Sequence, residues 1–280
     1  MQDTWGFLDT GVHDAATNMA LDELLLTWHS EGKVPPVLRF YQWSKPSLSV
    51  GYFQDVNKTI DLSALDKYGV PIVRRLTGGS AVLHDDELTY SIVIAEKKSF
   101  IPASITEAYY VLSKGIFDGY ANLGITVDYA EKRDSNKSRS AVCFERPALY
   151  ELMAGGKKIS GNAQTRQKGV LLQHGSIPHS MNKTILFDLF RFPNENIRER
   201  KRQAFDTKAT TIFQEANKSV SMNAMKDAFK KGFETGVDVE LFPFELTNGQ
   251  WEEVYRLAKR KYSNHDWNFK HHSKGRVLNG

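Results

Sequence analysis

A single cysteine, Cys143, stands in a chain of 280 residues. That scarcity excludes an internal disulfide framework and any cysteine-based zinc cluster. Long apolar runs are missing too, since none approaches the roughly 18–20 residues that a membrane span requires. The opening residues MQDTWGFLD carry neither the basic nor the apolar region of a secretory signal. These absences lead us to expect a cytoplasmic protein with no membrane attachment. Charge of one sign is also scarce. Lys and Arg number 37 against 33 Asp and Glu, a formal +4. This makes no case for nucleic acid and leaves room only for a local basic patch facing an acidic partner. We find no internal repeat.

The remainder is that of a soluble globular protein, with 41% hydrophobic and 25% charged residues. A chain of this length buries roughly 75% of the surface that its unfolded form exposes, so it needs no covalent staples. The stretch that organises it is RRLTGGSAVLHDDELTYS, residues 74–91. Paired glycines permit positive φ and let a ligand approach backbone N–H groups without a Cβ in the way. Arg74 and Arg75 set fixed positive charge beside that turn. Residues 88–95, LTYSIVIA, read as a deeply buried strand. A polar glycine-bearing loop is thus clamped between residues 72–75 and a core strand, where binding residues tend to lie. A hairpin turn with solvated arginines is the plainer reading of Gly-Gly alone.

Periodicity supplies the other elements. A first helix, with Asp14, Thr17 and Asn18 as candidate caps, buries Met19, Leu21, Leu24, Leu25 and Trp28. Strands follow at residues 37–41 and 47–52, then a short helix at 61–68. Residues 104–123 form the clearest helix, with Ile105, Ala108, Tyr109, Leu112, Ile116, Tyr120 and Leu123 on one stripe. A strand at 126–129 leads into EKRDSNKSRS, residues 131–140. This run has almost no apolar residue and reads as an exposed loop or a lid beside Cys143. Strands at 149–153 and 158–164 flank a Gly155-Gly156 turn, and 170–177 is another strand. The charge run ENIRERKR, residues 195–202, reads as a solvated face. Helices at 219–236 and 251–262 follow, the second opened by Thr247 and Gln250 at capping-box spacing. Residues 271–280 show no periodic pattern and are expected to fray. The fold class is therefore α/β of the α+β type, a mixed sheet flanked by helices with a helical C-terminal portion. We expect a catalytic domain over residues 1–245 and a C-terminal helix and tail, 246–280, packed on it.

On residues alone, Cys143 has two readings. It is a small buried hydrophobe, or it is a nucleophile at an exposed edge between a polar loop and Glu145, Arg146 and Pro147. Lys157 and Lys158 are solvated, or one of them faces a pocket, because strand neighbours point to opposite faces. His84 with Asp85 is a structural hydrogen-bonding pair or part of a site.

The motif RRxTGGxAVxHDxxLTYS resembles the signature of the lipoate-protein ligase A family, which includes the octanoyltransferases of lipoate assembly. NMALDELLL, RFYQW, SVGYFQ, KISGNAQ, QHGSI and KYSNHDWN extend the likeness in order from residue 18 to residue 268. Within the family, SAVCFERPALYEL around Cys143 is similar to the cysteine-dependent octanoyltransferases of Gram-positive bacteria. The resemblance implies a biotin/lipoate protein ligase-like fold. It also implies transfer of octanoyl from acyl carrier protein to the lipoyl-accepting lysine of a target, the glycine-cleavage H protein foremost or another lipoyl domain. Cys143 would be the nucleophile, and Lys158, the lysine in K-I-S-G, would lower its pKa and steady charge on the acyl carbonyl. Gly78 and Gly79 would donate N–H groups to that carbonyl. Arg74, Arg75, Thr77, His84, Gly161 and His174 would line the substrate site. A thioester donor makes ATP, other cofactors and metal unnecessary, and a monomer is expected. Three rival readings share the scaffold: an octanoyl amidotransferase from H protein to other lipoyl domains, an ATP-dependent lipoate or biotin ligase, and a non-catalytic acyl-binding protein.

Overall fold

A computed structural model describes residues 2–130 and 151–270. Cys143, the loop at 131–140 and the tail from residue 271 lie outside the described residues. In chain order the elements begin with β1 (Asp3–His13), α1 (Ala15–Ser30), β2 (Val37–Trp43), β3 (Ser47–Val50), α2 (Val56–Thr59) and α3 (Leu62–Tyr68). Next come β4 (Ile72–Arg74), β5 (Val82–His84), β6 (Glu87–Ala95), α4 (Ile105–Asn122) and β7 (Asp128–Tyr129). Then follow β8 (Leu152–Ala154), β9 (Lys157–Lys158), β10 (Gly161–Gln167), β11 (Val170–Pro178), α5 (Lys183–Asp188), α6 (Glu195–Gln203) and α7 (Ile212–Glu215). The last are α8 (Met222–Gly236), β12 (Val239–Pro243), α9 (Asn248–Leu257) and α10 (His265–Phe269).

The main sheet is mixed and six-stranded, in the order β10-β11-β6-β2-β1-β12. β1 runs parallel to both β2 and β12, and the remaining pairings are antiparallel. Both faces are covered, which is why β6 reads as an almost unbroken apolar run. Alternation sorts its side chains. Leu88, Tyr90, Ile92 and Ile94 enter the core shared with α4 and α8. Val93 packs instead in the core under α1 and α9, on the face where Thr89 and Ser91 make polar contacts. β2 divides likewise, with Leu38 and Phe40 on one side and Val37, Tyr41 and Trp43 on the other.

A smaller sheet, β4-β3-β5, carries the glycine-bearing loop between β4 and β5. A third core lies under it, and Val82 and Leu83 pack there with Leu48, Val50, Phe187 and Phe190. Helix starts follow capping chemistry: Asp14 opens α1, Ser104 opens α4, and Thr247 with Gln250 forms a capping box at α9. The charge run is helix α6, which buries no residue. Two expectations shift in detail. The strand expected at 158–164 is split, because Lys158 pairs in the small sheet β7-β8-β9 while Gly161 starts β10 of the main sheet. The last long helix starts at Asn248 and closes in a π turn over Ala258–Tyr262.

Candidate functional site

The glycine-bearing loop is shaped by the arginine that precedes it. Arg75 is buried, and its NH2 donates to the carbonyls of Gly78 (2.7 Å) and Ser80 (2.8 Å). In a trans peptide the C=O and N–H point in opposite directions. Drawing the Gly78 carbonyl inward therefore turns the Gly79 N–H outward. The Thr77 carbonyl accepts from the Tyr52 N–H at 2.8 Å, which turns the Gly78 N–H away from Tyr52 in the same manner. Among the described residues neither of these two N–H groups has an acceptor, and Gly78 is half-buried while Gly79 is exposed. Two adjacent N–H groups on a fixed loop form a small seat for a carbonyl oxygen or an anion. Gly79 has φ 95°, and a Cβ there would lie 2.9 Å from Arg75 NH2. A Cβ on Gly51 would lie 2.0 Å from the Gly79 carbonyl oxygen, so glycine is needed on both sides of this contact.

Two relays fasten Arg75 to the main sheet. Arg75 Nε donates to Thr77 Oγ1 (3.1 Å), which bonds His174 Nε2 (2.7 Å), and His174 Nδ1 bonds Asp22 Oδ2 (3.0 Å). Arg75 NH1 donates to Ser49 Oγ (3.1 Å), which bonds His84 Nε2 (2.8 Å), and His84 Nδ1 bonds Glu87 Oε1 (2.7 Å). A carboxylate only accepts, so Nδ1 carries the proton in both rings. All seven residues of this network are buried. The carboxylates hold the rest of the site together. Asp22 also accepts from Arg39, Ser91 and Tyr41, and Glu87 from Thr89 and Ser176. Burial favours the neutral Asp22 acid, but the His174 hydrogen bond and the Arg39 charge outweigh it and hold its pKa below the ordinary carboxylate value. Burial pushes His174 down, with Arg75 and His84 adding to the effect against Asp22, so its ring is neutral at neutral pH. The partner of His84 is Glu87, three residues on, rather than the adjacent Asp85.

The other site residues fall in two places. Gly161 opens β10 opposite Ser176, whose hydroxyl reaches Glu87, so it adjoins the His84 relay across the sheet end. Lys158 belongs to a separate cluster. It is fully buried while Lys157 is only half-buried, and its ammonium is paired with Glu151. Its backbone is held by Lys208 and Thr210 through bonds of 2.8 and 2.9 Å. Arg74 uses its guanidinium on backbone carbonyls of Gly51, Tyr52, Gln54, Trp267 and Asn268. Burial and the Arg75 charge lower its pKa to about 10, which leaves it charged at neutral pH. Asp22, Glu87, Ser49 and Glu151 were not singled out from the sequence. Asp22 carried one signal, an acid on the apolar side of α1. No group of side chains among the described residues has the arrangement of a metal site.

Residues 14–234 match the family described as the lipoyl protein ligase A/B catalytic domain. The chain is 56% identical to "Octanoyltransferase LipM" of Oceanobacillus iheyensis, over 94% of this chain and 96% of that protein. It is 49% identical to the protein of the same name from Bacillus subtilis, over 96% and 99%. In fold it is similar to a bipartite lipoate protein ligase from Thermoplasma acidophilum, with a TM-score of 0.79 at 24% identity over 99% and 100% of the two chains. A lipoate-protein ligase A bound with ATP gives 0.75 at 25% identity over 96% and 99%.

Proposed function

Because this chain belongs to the lipoyl protein ligase A/B family, we propose that it takes octanoyl from acyl carrier protein onto Cys143 and passes it to a lipoyl-domain lysine. The chain is an octanoyltransferase of protein lipoylation, and lipoyl-domain proteins are its acceptors. The observation that carries this is identity of 46–56% to octanoyltransferases along nearly its whole length. The donor, the cysteine and the favoured acceptor, the glycine-cleavage H protein, are our own reading.

The Cys143 thiolate attacks the thioester carbonyl, the thioester C–S bond breaks, and phosphopantetheine leaves as a thiolate that takes a proton from solvent. The uncharged ε-amine of the acceptor lysine then attacks the octanoyl-enzyme. An amide forms, the amine loses a proton, and the Cys143 thiolate leaves. The spent thioester drives amide formation, so neither ATP nor metal enters. The outward N–H groups of Gly78 and Gly79 would hold the carbonyl oxygen as it gains charge. Lys158, fixed by Glu151, would favour the thiolate. Arg75, His84 and His174 act here as positioning residues that aim the loop.

Intact mass after incubation with octanoyl-acyl carrier protein, without ATP, tests this reading. One octanoyl group on Cys143 is the expected result. Transfer that requires ATP and leaves Cys143 unmodified would overturn it in favour of a ligase. An acyl-enzyme formed only from octanoyl-H protein would reassign the donor.

A further inference from the structure

Arg74 is the residue where the C-terminal end of the chain meets the glycine-bearing loop. Its backbone is gripped from both sides: its N–H donates to Asn268 Oδ1 (2.9 Å) and its carbonyl accepts from Trp267 Nε1 (3.0 Å). Its side chain returns the grip, with Nε on the Trp267 carbonyl (3.2 Å) and NH2 on the Asn268 carbonyl (2.9 Å). Four hydrogen bonds thus join one residue of β4 to two residues of α10. The remaining nitrogen, NH1, gathers the carbonyls of Gly51 (2.8 Å), Tyr52 (3.0 Å) and Gln54 (2.9 Å). That turn is the one whose Gly51 abuts the Gly79 carbonyl and whose Tyr52 N–H holds Thr77.

The grip is anchored in turn. Asn268 is buried, and its Nδ2 donates to the Tyr262 carbonyl at 2.8 Å. Tyr262 and Lys261 both reach Glu23 of α1, at 2.5 and 2.6 Å. Lys261 Nζ also stands 3.9 Å from the centroid of the Trp267 ring, over its face. A rigid path therefore runs from α1 through residues 261–268 to Arg74 and on to the loop tip. Arg74 lies within the family match over residues 14–234, and residues 261–268 lie beyond it.

We propose that Trp267 and Asn268 are positioning residues for the acyl-donor site, fixing through Arg74 the loop whose Gly78 and Gly79 N–H groups receive the thioester carbonyl. This rests on the octanoyl-transfer reading of that loop. Without the latch, Arg75 keeps its bonds to the loop and Arg74 its bonds to the turn at residues 51–54. Arg74 itself is no longer fixed, so the turn and the loop that sits against it loosen together. Weaker donor binding should follow, with the acceptor side untouched.

The experiment uses the full chain with octanoyl-acyl carrier protein and lipoyl acceptor, comparing Asn268→Ala, Asn268→Asp, Trp267→Phe and, as a control, the exposed Lys259→Ala. A backbone hydrogen bond of ordinary net strength corresponds to about threefold to tenfold in binding. Asn268→Ala should raise the donor KM by about that factor, while kcat and the acceptor KM stay within about twofold. Asn268→Asp keeps the oxygen that accepts from the Arg74 N–H but loses the donor to the Tyr262 carbonyl, so it should recover only part of the loss. Trp267→Phe keeps an aromatic ring in place and removes the N–H that reaches the Arg74 carbonyl, so it is the milder test of folding and should show the smaller effect. Amide exchange of residues 76–80 without substrate gives a readout that does not depend on the reaction, and it should speed up in Asn268→Ala. Unchanged exchange, or an unchanged donor KM in both Asn268→Ala and Trp267→Phe, overturns the latch. Faster exchange in a protein whose wild type transfers no octanoyl keeps the latch and sinks the functional reading instead.

Discussion

His84 and His174 meet at one guanidinium: the first reaches Arg75 through Ser49 and the second through Thr77. Each ring is backed by a buried carboxylate, Glu87 or Asp22. The arrangement has the carboxylate–imidazole–hydroxyl order of a nucleophile triad. Both hydroxyls are nevertheless buried and accept from Arg75, so the relays orient rather than attack. Their effect is to hold the Gly78 and Ser80 carbonyls inward.

Acid should loosen this network. The folded-state pKa of His174 lies below its ordinary value of 6.5, chiefly through burial. Between those two values the unfolded chain binds more protons, so stability rises with pH there. The His174 contribution is fully present above about pH 6.5 and is lost as pH falls through the depressed folded value. Asp22 acts in the same direction at lower pH, below its ordinary 3.8. His13, lowered by burial and by Arg39, adds a similar slope of its own. Urea midpoints between about pH 8 and about pH 5 should therefore fall in the wild type and fall less in His174→Gln. Equal slopes would show that His174 does not carry the effect.

Gly79→Ala should fail for two independent reasons. The backbone sits at φ 95°, which costs an L-residue about 1–3 kcal/mol. The added Cβ would also press on Arg75 NH2. We expect a lower melting temperature and loss of octanoyl transfer. Gly249→Ala, where a Cβ meets open space at the start of α9, should change neither. Calorimetry and a transfer assay decide it, and a fully active Gly79→Ala would remove the loop from the acyl site.

Much of this was legible from residue pattern. The buried apolar run of β6, the stripe on α4 and the capping box at Thr247 are local signals, and each element appears where its pattern stands. Strand alternation says only that one of Lys157 and Lys158 faces inward; the K-I-S-G motif of the family resemblance says which, and Lys158 is the buried one. Partners distant in sequence were not legible. Asp22 shows only its place on the apolar side of α1, and its partner His174 lies 152 positions away. Glu87 is close in sequence to His84, but the adjacent Asp85 stands in its place as the expected partner. Asn268 lies 194 positions from Arg74, and no periodicity connects them. Strands β1 and β12 escaped notice because each depends on parallel pairing with distant chain rather than on a hairpin.

Lys158 and Glu151 form a buried pair, so alanine at either position leaves the other charge without it, at about 3–5 kcal/mol. Lys158→Ala alone would therefore confuse a folding defect with a chemical one. The double variant Lys158→Met, Glu151→Gln removes both charges together and should retain the fold. If the lysine favours the Cys143 thiolate, alkylation of Cys143 near neutral pH should slow in the double variant, and its pH midpoint should move up. An unchanged alkylation profile would remove Lys158 from that role and leave it a structural residue.

Cys143→Ser separates covalent transfer from simple binding. The hydroxyl is nearly isosteric with the thiol, so donor binding should survive. Its pKa lies far above that of a thiol, and a single lysine cannot ionise it. The two histidines cannot serve as its base, because each ring already bonds a carboxylate on one nitrogen and a buried hydroxyl on the other. Acyl-enzyme should be scarce, and transfer should fall by a factor on the order of 10⁴–10⁶, as when a nucleophile is lost and positioning alone remains. Cys143→Ala tests the same point without any nucleophile. Near-normal transfer by that variant would mean direct attack of the acceptor lysine on the donor thioester. The loop N–H groups would then be the whole of the catalytic apparatus, and Cys143 would be a packing residue.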